Sequence, residues 1–277
     1  MRRPLARSLV VSRRPGLFYG AAVRDYLDRV RAADGSGLDR AVTDGINVYL
    51  SGLVSANMLG TSGGVISQAA SKIKAHCIMS GVNTLTGAFV PVVGTAPTNF
   101  NFVAGDYLRK TGVKGDGVNK YLNTNRQNDA DPQNSKHLSA YVTETPSADS
   151  FIASSGGAAV AGNSSLIRDS GAYKGRINVA TGATPLSSSV LTVPAFIGIA
   201  RSASNAQNIR VADQTATDAT ASVTPNASVI QIFGRPEAAT SRADARLSLY
   251  SIGEFIDLAI LRTLQDRLMA TFAAAIP

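Results

Sequence analysis

The sequence predicts a mainly β protein: a jelly-roll or β-sandwich preceded by a helical segment and closed by a C-terminal helix. Three observations predict it. Short apolar runs separated by Gly, Asn, Ser and Pro recur every ten to fifteen residues beyond residue 97, as a two-sheet sandwich requires. Before residue 81 the apolar residues fall at helical spacing instead. After residue 257 they do so again, with Leu258, Leu261, Leu264, Leu268 and Phe272 on one helix face.

The elements follow in order. Residues 1–20 carry Pro4, Pro15 and Gly16 without a period and read as an extended basic arm. Residues 21–81 read as a helical attachment segment. Val23, Tyr26, Leu27 and Val30 make one face of a first helix, stopped at Asp34–Gly37. Leu38, Val42, Ile46, Tyr49, Leu50 and Leu53 make a second. Ile66, Ala69, Ile73, Cys77 and Ile78 predict a third over Val65–Ser80. Residues 82–277 form the sandwich with its terminal helix. Its expected strands are Asn99–Val103, Tyr121–Leu122, His137–Thr143, Ser150–Ser154, Ala158–Ala161, Ser165–Arg168, Arg176–Ala180, Pro194–Ala200, Ile209–Val211, Ser228–Phe233 and Ala245–Ser251. Leu138, Ala140 and Val142 alternate cleanly.

Composition narrows the function. The chain has 277 residues, 44% hydrophobic and 17% charged, enough to bury a large core of Val, Ile, Leu and Ala in the absence of Trp. Cys77 has no second cysteine to pair with, so a disulfide-stapled fold is excluded. No apolar run reaches the roughly 18 residues that cross a bilayer. The net charge of +8 is partly local, because Arg2, Arg3, Arg7, Arg13 and Arg14 precede any acidic residue. Such an arm suits a transit peptide, a nucleic-acid contact or docking on a neighbouring subunit. The docking reading is adopted, with Tyr26 as part of the docking surface, and nucleic acid stands second.

Motifs for chemistry are sparse. His76 and His137 have no second histidine or cysteine at ligand spacing, and His76 and Cys77 would diverge by about 100° on a helix. Most acidic residues sit beside turn formers, and neither a Gly-x-Ser-x-Gly elbow nor a P-loop occurs. No catalytic residue, metal site or cofactor is expected. The polar loop Asn123–Pro132 is the candidate binding element. Asn123, Asn125, Arg126, Asp129 and Asp131, with Tyr121 beside them, offer oxygens and donors for a sugar or Ca²⁺. The EF-hand pattern fails, since Asn128 and Asn134 stand where glycine and glutamate belong. With no Trp, an aromatic platform for a sugar falls to Tyr107, Tyr121, Tyr141 or Tyr173.

Three segments carry a resemblance: Ala96–Tyr107, Lys120–Arg126 and Ala243–Glu254. There the chain resembles a domain of tailed-phage and prophage virion proteins, over roughly residues 66–277. The resemblance implies a concanavalin-like or laminin-G-like jelly roll in a tail fibre, head fibre or other exposed virion part. It implies partners among tail or capsid subunits, a homo-oligomer such as a trimer, and a location on the virion exterior. A capsid decoration is the alternative, and a module for host-surface glycans is an alternative of another class.

Overall fold

The computed structural model describes residues 20–187, 192–237 and 241–277. The arginines of the expected arm, Arg2, Arg3, Arg7, Arg13 and Arg14, lie outside the described residues.

The chain opens with helices α1 (Ala21–Asp34) and α2 (Arg40–Ser55). A small hairpin follows, β1 (Gly60–Ser62) and β2 (Val65–Ser67), then β3 (Ile73–Ile78), the helical turn α3 (Leu85–Ala88) and β4 (Pro91–Val93). The next strands are β5 (Thr98–Phe100), β6 (Tyr107–Leu108), β7 (Gly112–Lys114), β8 (Tyr121–Gln127), β9 (Lys136–Glu144) and β10 (Ser150–Ser154). Then come β11 (Asn163–Asp169), β12 (Ala172–Val179), β13 (Leu186–Ser187), β14 (Ala195–Ala203), β15 (Ala206–Val211) and β16 (Gln214–Asp218). β17 (Val229–Ile232), β18 (Arg246–Gly253) and α4 (Leu258–Ala275) complete it.

Two antiparallel sheets form the sandwich. One runs β13-β12-β11-β10-β17-β8-β5, and the other β16-β15-β14-β9-β18-β3-β4, with β7 and β6 added beside β18. Ile197, Ile199 and Leu138 face the first sheet. Gly175 permits that approach, because a Cβ there would come 3.0 Å from Ile199. The second sheet is covered on its other face too. Tyr49 of α2 meets His76 of β3, and Met269 of α4 accepts from the Ser80 hydroxyl just after β3. Leu258 reaches Gly198 of β14. Asp257 caps α4 by accepting from the amides of Ala259 and Ile260. A sheet walled on both faces needs strands that are apolar or small throughout, and β9, β14 and β18 are buried almost end to end.

That double burial corrects the expected third helix. Val65–Ser80 is a hairpin arm followed by β3, which pairs with β18 from Leu249↔Ile78 to Gly253↔Ile73. His76 faces the helices while Cys77 faces the interior beside Tyr250. Ile73, Ala75 and Cys77 do alternate with Lys74 and His76, but over only five residues, and the helical spacing of Ile66, Ala69, Ile73 and Cys77 outweighed them. Ala158–Ala161 is a loop rather than a strand, and β16 was not anticipated. Tyr26 is also corrected. It is fully buried in the core, so it stabilises α1 from within and offers no docking surface.

Candidate functional site

The segment Asn123–Pro132, read from sequence as a polar loop, is strand β8 as far as Gln127, and most of its polar groups are bonded within the protein. Asn125 adopts φ 56° and its amide donates to Ala96 O at 2.8 Å, while its own N–H donates to Asn123 Oδ1 at 2.8 Å. Arg126 Nε donates to Asp131 at 3.0 Å, with Nη2 completing the fork. Asp131 is buried, and its second cation is Lys136, 3.6 Å away and fully buried. Burial pushes the Lys136 ammonium down to about 8, and the Asp131 charge acts in the opposite direction. Lys136 also donates to Asn128 O at 2.5 Å, and the Asn128 side chain ties to Gly162 O and Asn178 Oδ1. Arg126 and Asp131 are therefore held in structural pairs, and Asp129 alone of the charged candidates is exposed. This corrects the reading of Arg126 and Asp131 as free ligand groups: a carboxylate shared between two cations has no vacant role.

The two histidines are walled in. His76 bonds Tyr49 Oη at 3.1 Å and Tyr250 O at 2.5 Å. His137 bonds Ser251 Oγ at 3.0 Å and Glu254 O at 2.6 Å. Burial pushes both imidazoles down to about 4, so both are neutral at pH 7. The Cys77 thiol, also buried, is pushed up to about 12. Among the described residues no group of three His, Cys, Asp or Glu side chains converges as a metal site would need.

The expected platforms sort by burial. Tyr141 and Tyr173 are buried, and Tyr107 donates to Val82 O at 2.7 Å. Tyr121 stays half-exposed. Its ring stacks on Phe100, with centroids 4.3 Å apart and planes 4° from parallel, and Arg242 lies over it at 3.9 Å.

Strand register aligns a polar row beside Tyr121, buried from Arg176 to Gln231 and open to solvent only at Asn123 and Thr98. On the outer face of the seven-stranded sheet one row crosses six strands: Arg176 opposite Ser165, Ser165 opposite Ser154, Ser154 opposite Gln231, Gln231 opposite Asn123, and Asn123 opposite Thr98. The alternate residues Gly175, Leu166 and Leu122 face the core. Two arginines that follow β17 lie over this face: Arg235 covers the Phe151 ring at 4.9 Å, and Arg242 reaches Gln231 Oε1 at 3.5 Å. The residues that sequence reasoning missed are Arg235, Arg242, Gln231 and Arg176. A local signal existed only for Arg235, set between Gly234 and Pro236 directly after an apolar strand.

No family model and no curated protein matches the chain. Among solved structures, Trypanosoma rangeli sialidase in complex with sialic acid aligns with TM-score 0.48 and 14% identity, over 82% of this chain and 39% of that one. The botulinum neurotoxin serotype D binding domain aligns with TM-score 0.47 and 10% identity, over 71% and 51%. Domain 4 of AbnA, a GH43 extracellular arabinanase from Geobacillus stearothermophilus, in complex with arabinotriose, gives 0.46 and 12%, over 70% and 98%. The likeness stops at the fold. The chain spans well under two thirds of the sialidase and the toxin domain. Nothing about this chain's ligand follows from them.

Proposed function

We propose that the chain is a non-enzymatic structural component of a phage virion, a tail fibre or tail-attached subunit that displays a rigid β-sandwich on the particle exterior. The observation that carries this reading is the continuous core. One apolar cluster runs from Val23 in α1 through both sheets to Ile276, so helices and sandwich are a single stiff body. The loop with the best sequence credentials for a ligand is spent on fixing that body. The basic segment before Gly20 supplies the docking arm, and a symmetric particle calls for several copies, such as a homotrimer. A capsid decoration would use the same body at higher copy number.

Localisation in a reconstruction of the intact particle tests it. The expected result is density for this sandwich on the outside of the tail, lost when residues 1–19 are deleted. A chain that stays monomeric and never co-purifies with particles refutes the proposal.

A second reading, recognition of host-surface glycans by the displayed body, is supported by one specific observation. At the open end of the polar row Thr98 and Asn125 are exposed and Asn123 and Tyr121 half-exposed, a cluster of hydroxyl and amide groups of the kind that sugar hydroxyls pair with.

A further inference from the structure

We propose that strand β16 is a docking edge for a second copy of this chain, whose own β16 adds to it antiparallel and carries the nine-stranded sheet across a two-fold axis. This goes beyond the virion reading and does not depend on it.

β16 has one side open. The hairpin joining it to β15 turns through Ala212 and Asp213 alone, so Val211 and Gln214 exchange both main-chain hydrogen bonds. Alternation then directs Ala216 and Asp218 at β15 as well, and turns the N–H and C=O of Thr215 and Thr217 away from it. Both threonines are exposed, and among the described residues nothing bonds to their main chain.

The other ends of the two sheets are blunted. β13 has two residues. β5 has three and runs into Asn101 at φ 67°. β4 has three and begins at Pro91, which has no N–H to offer. β16 has five residues in unbroken register with β15, and it contains no Lys, Arg or Pro. It lacks the brevity, bulge, lysine and proline that discourage edge pairing. Its one charge, Asp218, stands at the strand end and accepts from Gln207 Nε2 at 2.9 Å.

The sequence of the edge selects the occupant. Thr215-Ala216-Thr217 reads the same in both directions. A second copy laid antiparallel, with Ala216 opposite Ala216, sets each Thr215 opposite a Thr217, and each such pair exchanges both hydrogen bonds. Threonines are favourable cross-strand neighbours. A slide by two residues brings Thr217 opposite Asp213, or Thr215 opposite Ala219, and both of those lie outside the strand. In the matched register Asp218 falls opposite Gln214. The two Asp218 carboxylates are then about 14 Å apart along the strands, beyond the reach of strong repulsion at physiological salt. A foreign strand would need this pattern by chance, whereas a second copy supplies it by symmetry.

The test is sedimentation velocity of the full chain over a dilution series, with hydrogen exchange at Thr215 and Thr217 read by NMR. A dimer with a dissociation constant on the order of 10 µM is expected for so small an interface. Both amides should be protected in the dimer and exchange freely on dilution. Thr215→Lys combined with Thr217→Lys opposes like charges across the axis and should weaken dimerisation about tenfold or more. Thr215→Glu combined with Thr217→Glu should do the same, and an equimolar mixture of the two double variants should pair again. Thr217→Pro removes one outward N–H without touching the ladder to β15, and serves where a charged variant misfolds. A chain that is monomeric at every concentration overturns the proposal, and so does an oligomer that these variants leave intact. Protection of both amides in a monomer also overturns it, because the edge is then covered by its own chain.

Discussion

Lys136 is the sharpest place to test the interior. Its ammonium is fully buried between Asp131 and the Asn128 carbonyl, and it releases its proton near pH 8 rather than at the ordinary 10.5. Between these values the unfolded chain holds a proton that the folded protein has given up. Stability from this group therefore increases with pH across the window and is flat below it. Each pH unit is worth about 1.4 kcal/mol, so the rise from about pH 8 to about pH 9.5 is about 2 kcal/mol. Other groups titrate there as well. The Cys77 thiol, pushed up by burial, loses its proton on unfolding and works in the opposite direction. Comparison of wild type with Lys136→Met removes that common background. Urea unfolding followed by far-UV circular dichroism at several pH values gives both curves, which is the suitable probe in a protein without Trp. Wild type should gain about 2 kcal/mol on the variant across the window. Parallel curves would falsify the claim that this ammonium is strained by burial.

Three further outcomes follow from the same interior. Asp131→Asn leaves Arg126 and Lys136 facing each other without their shared carboxylate, and a loss of about 3–5 kcal/mol in urea unfolding is expected. Cys77 should react with a thiol reagent only as fast as the protein unfolds, so labelling faster than global hydrogen exchange would contradict its burial. Gly81 sits at φ 82° with the Phe272 ring where a Cβ would go, 2.5 Å away. Gly81→Ala should cost about 2–4 kcal/mol from strain and overpacking together, Phe272→Ala about 3–5 kcal/mol, and the double variant less than their sum in thermal melts.

Much of the fold was legible, for identifiable reasons. Ser150–Ser154 was read with its true ends because turn residues bound it, and α4 was read as a helix because one of its faces is apolar and the other is not. Both α1 and α2 present a single buried stripe, the case in which periodicity works. β3 failed because its alternation, Ile73, Ala75 and Cys77 against Lys74 and His76, is short and runs into the apolar Ile78 and Met79, and β16 failed because it is a polar edge strand whose residues look like loop. The candidate site was less legible. Tyr121 and Asn123 were found in one stretch of sequence, but Arg176, Ser154 and Gln231 join them only through strand pairing across more than a hundred residues. Composition marked Arg126 and Asp131 as binding groups. Only coordinates show that they bind each other.

The glycine pair at 156 and 157 ties two distant stretches of the chain to a common fate. A methyl group at 157 displaces the Arg235 guanidinium, and one at 156 meets Glu237 and Val160. Drift at this turn is thus never silent for the segment after β17. Related chains that abandon the small residues should abandon the arginine in the same step, whereas chains that keep Arg235 should tolerate no side chain opposite it. An alignment of such relatives, once assembled, would reveal whether selection has acted on the arginine or merely on the bend.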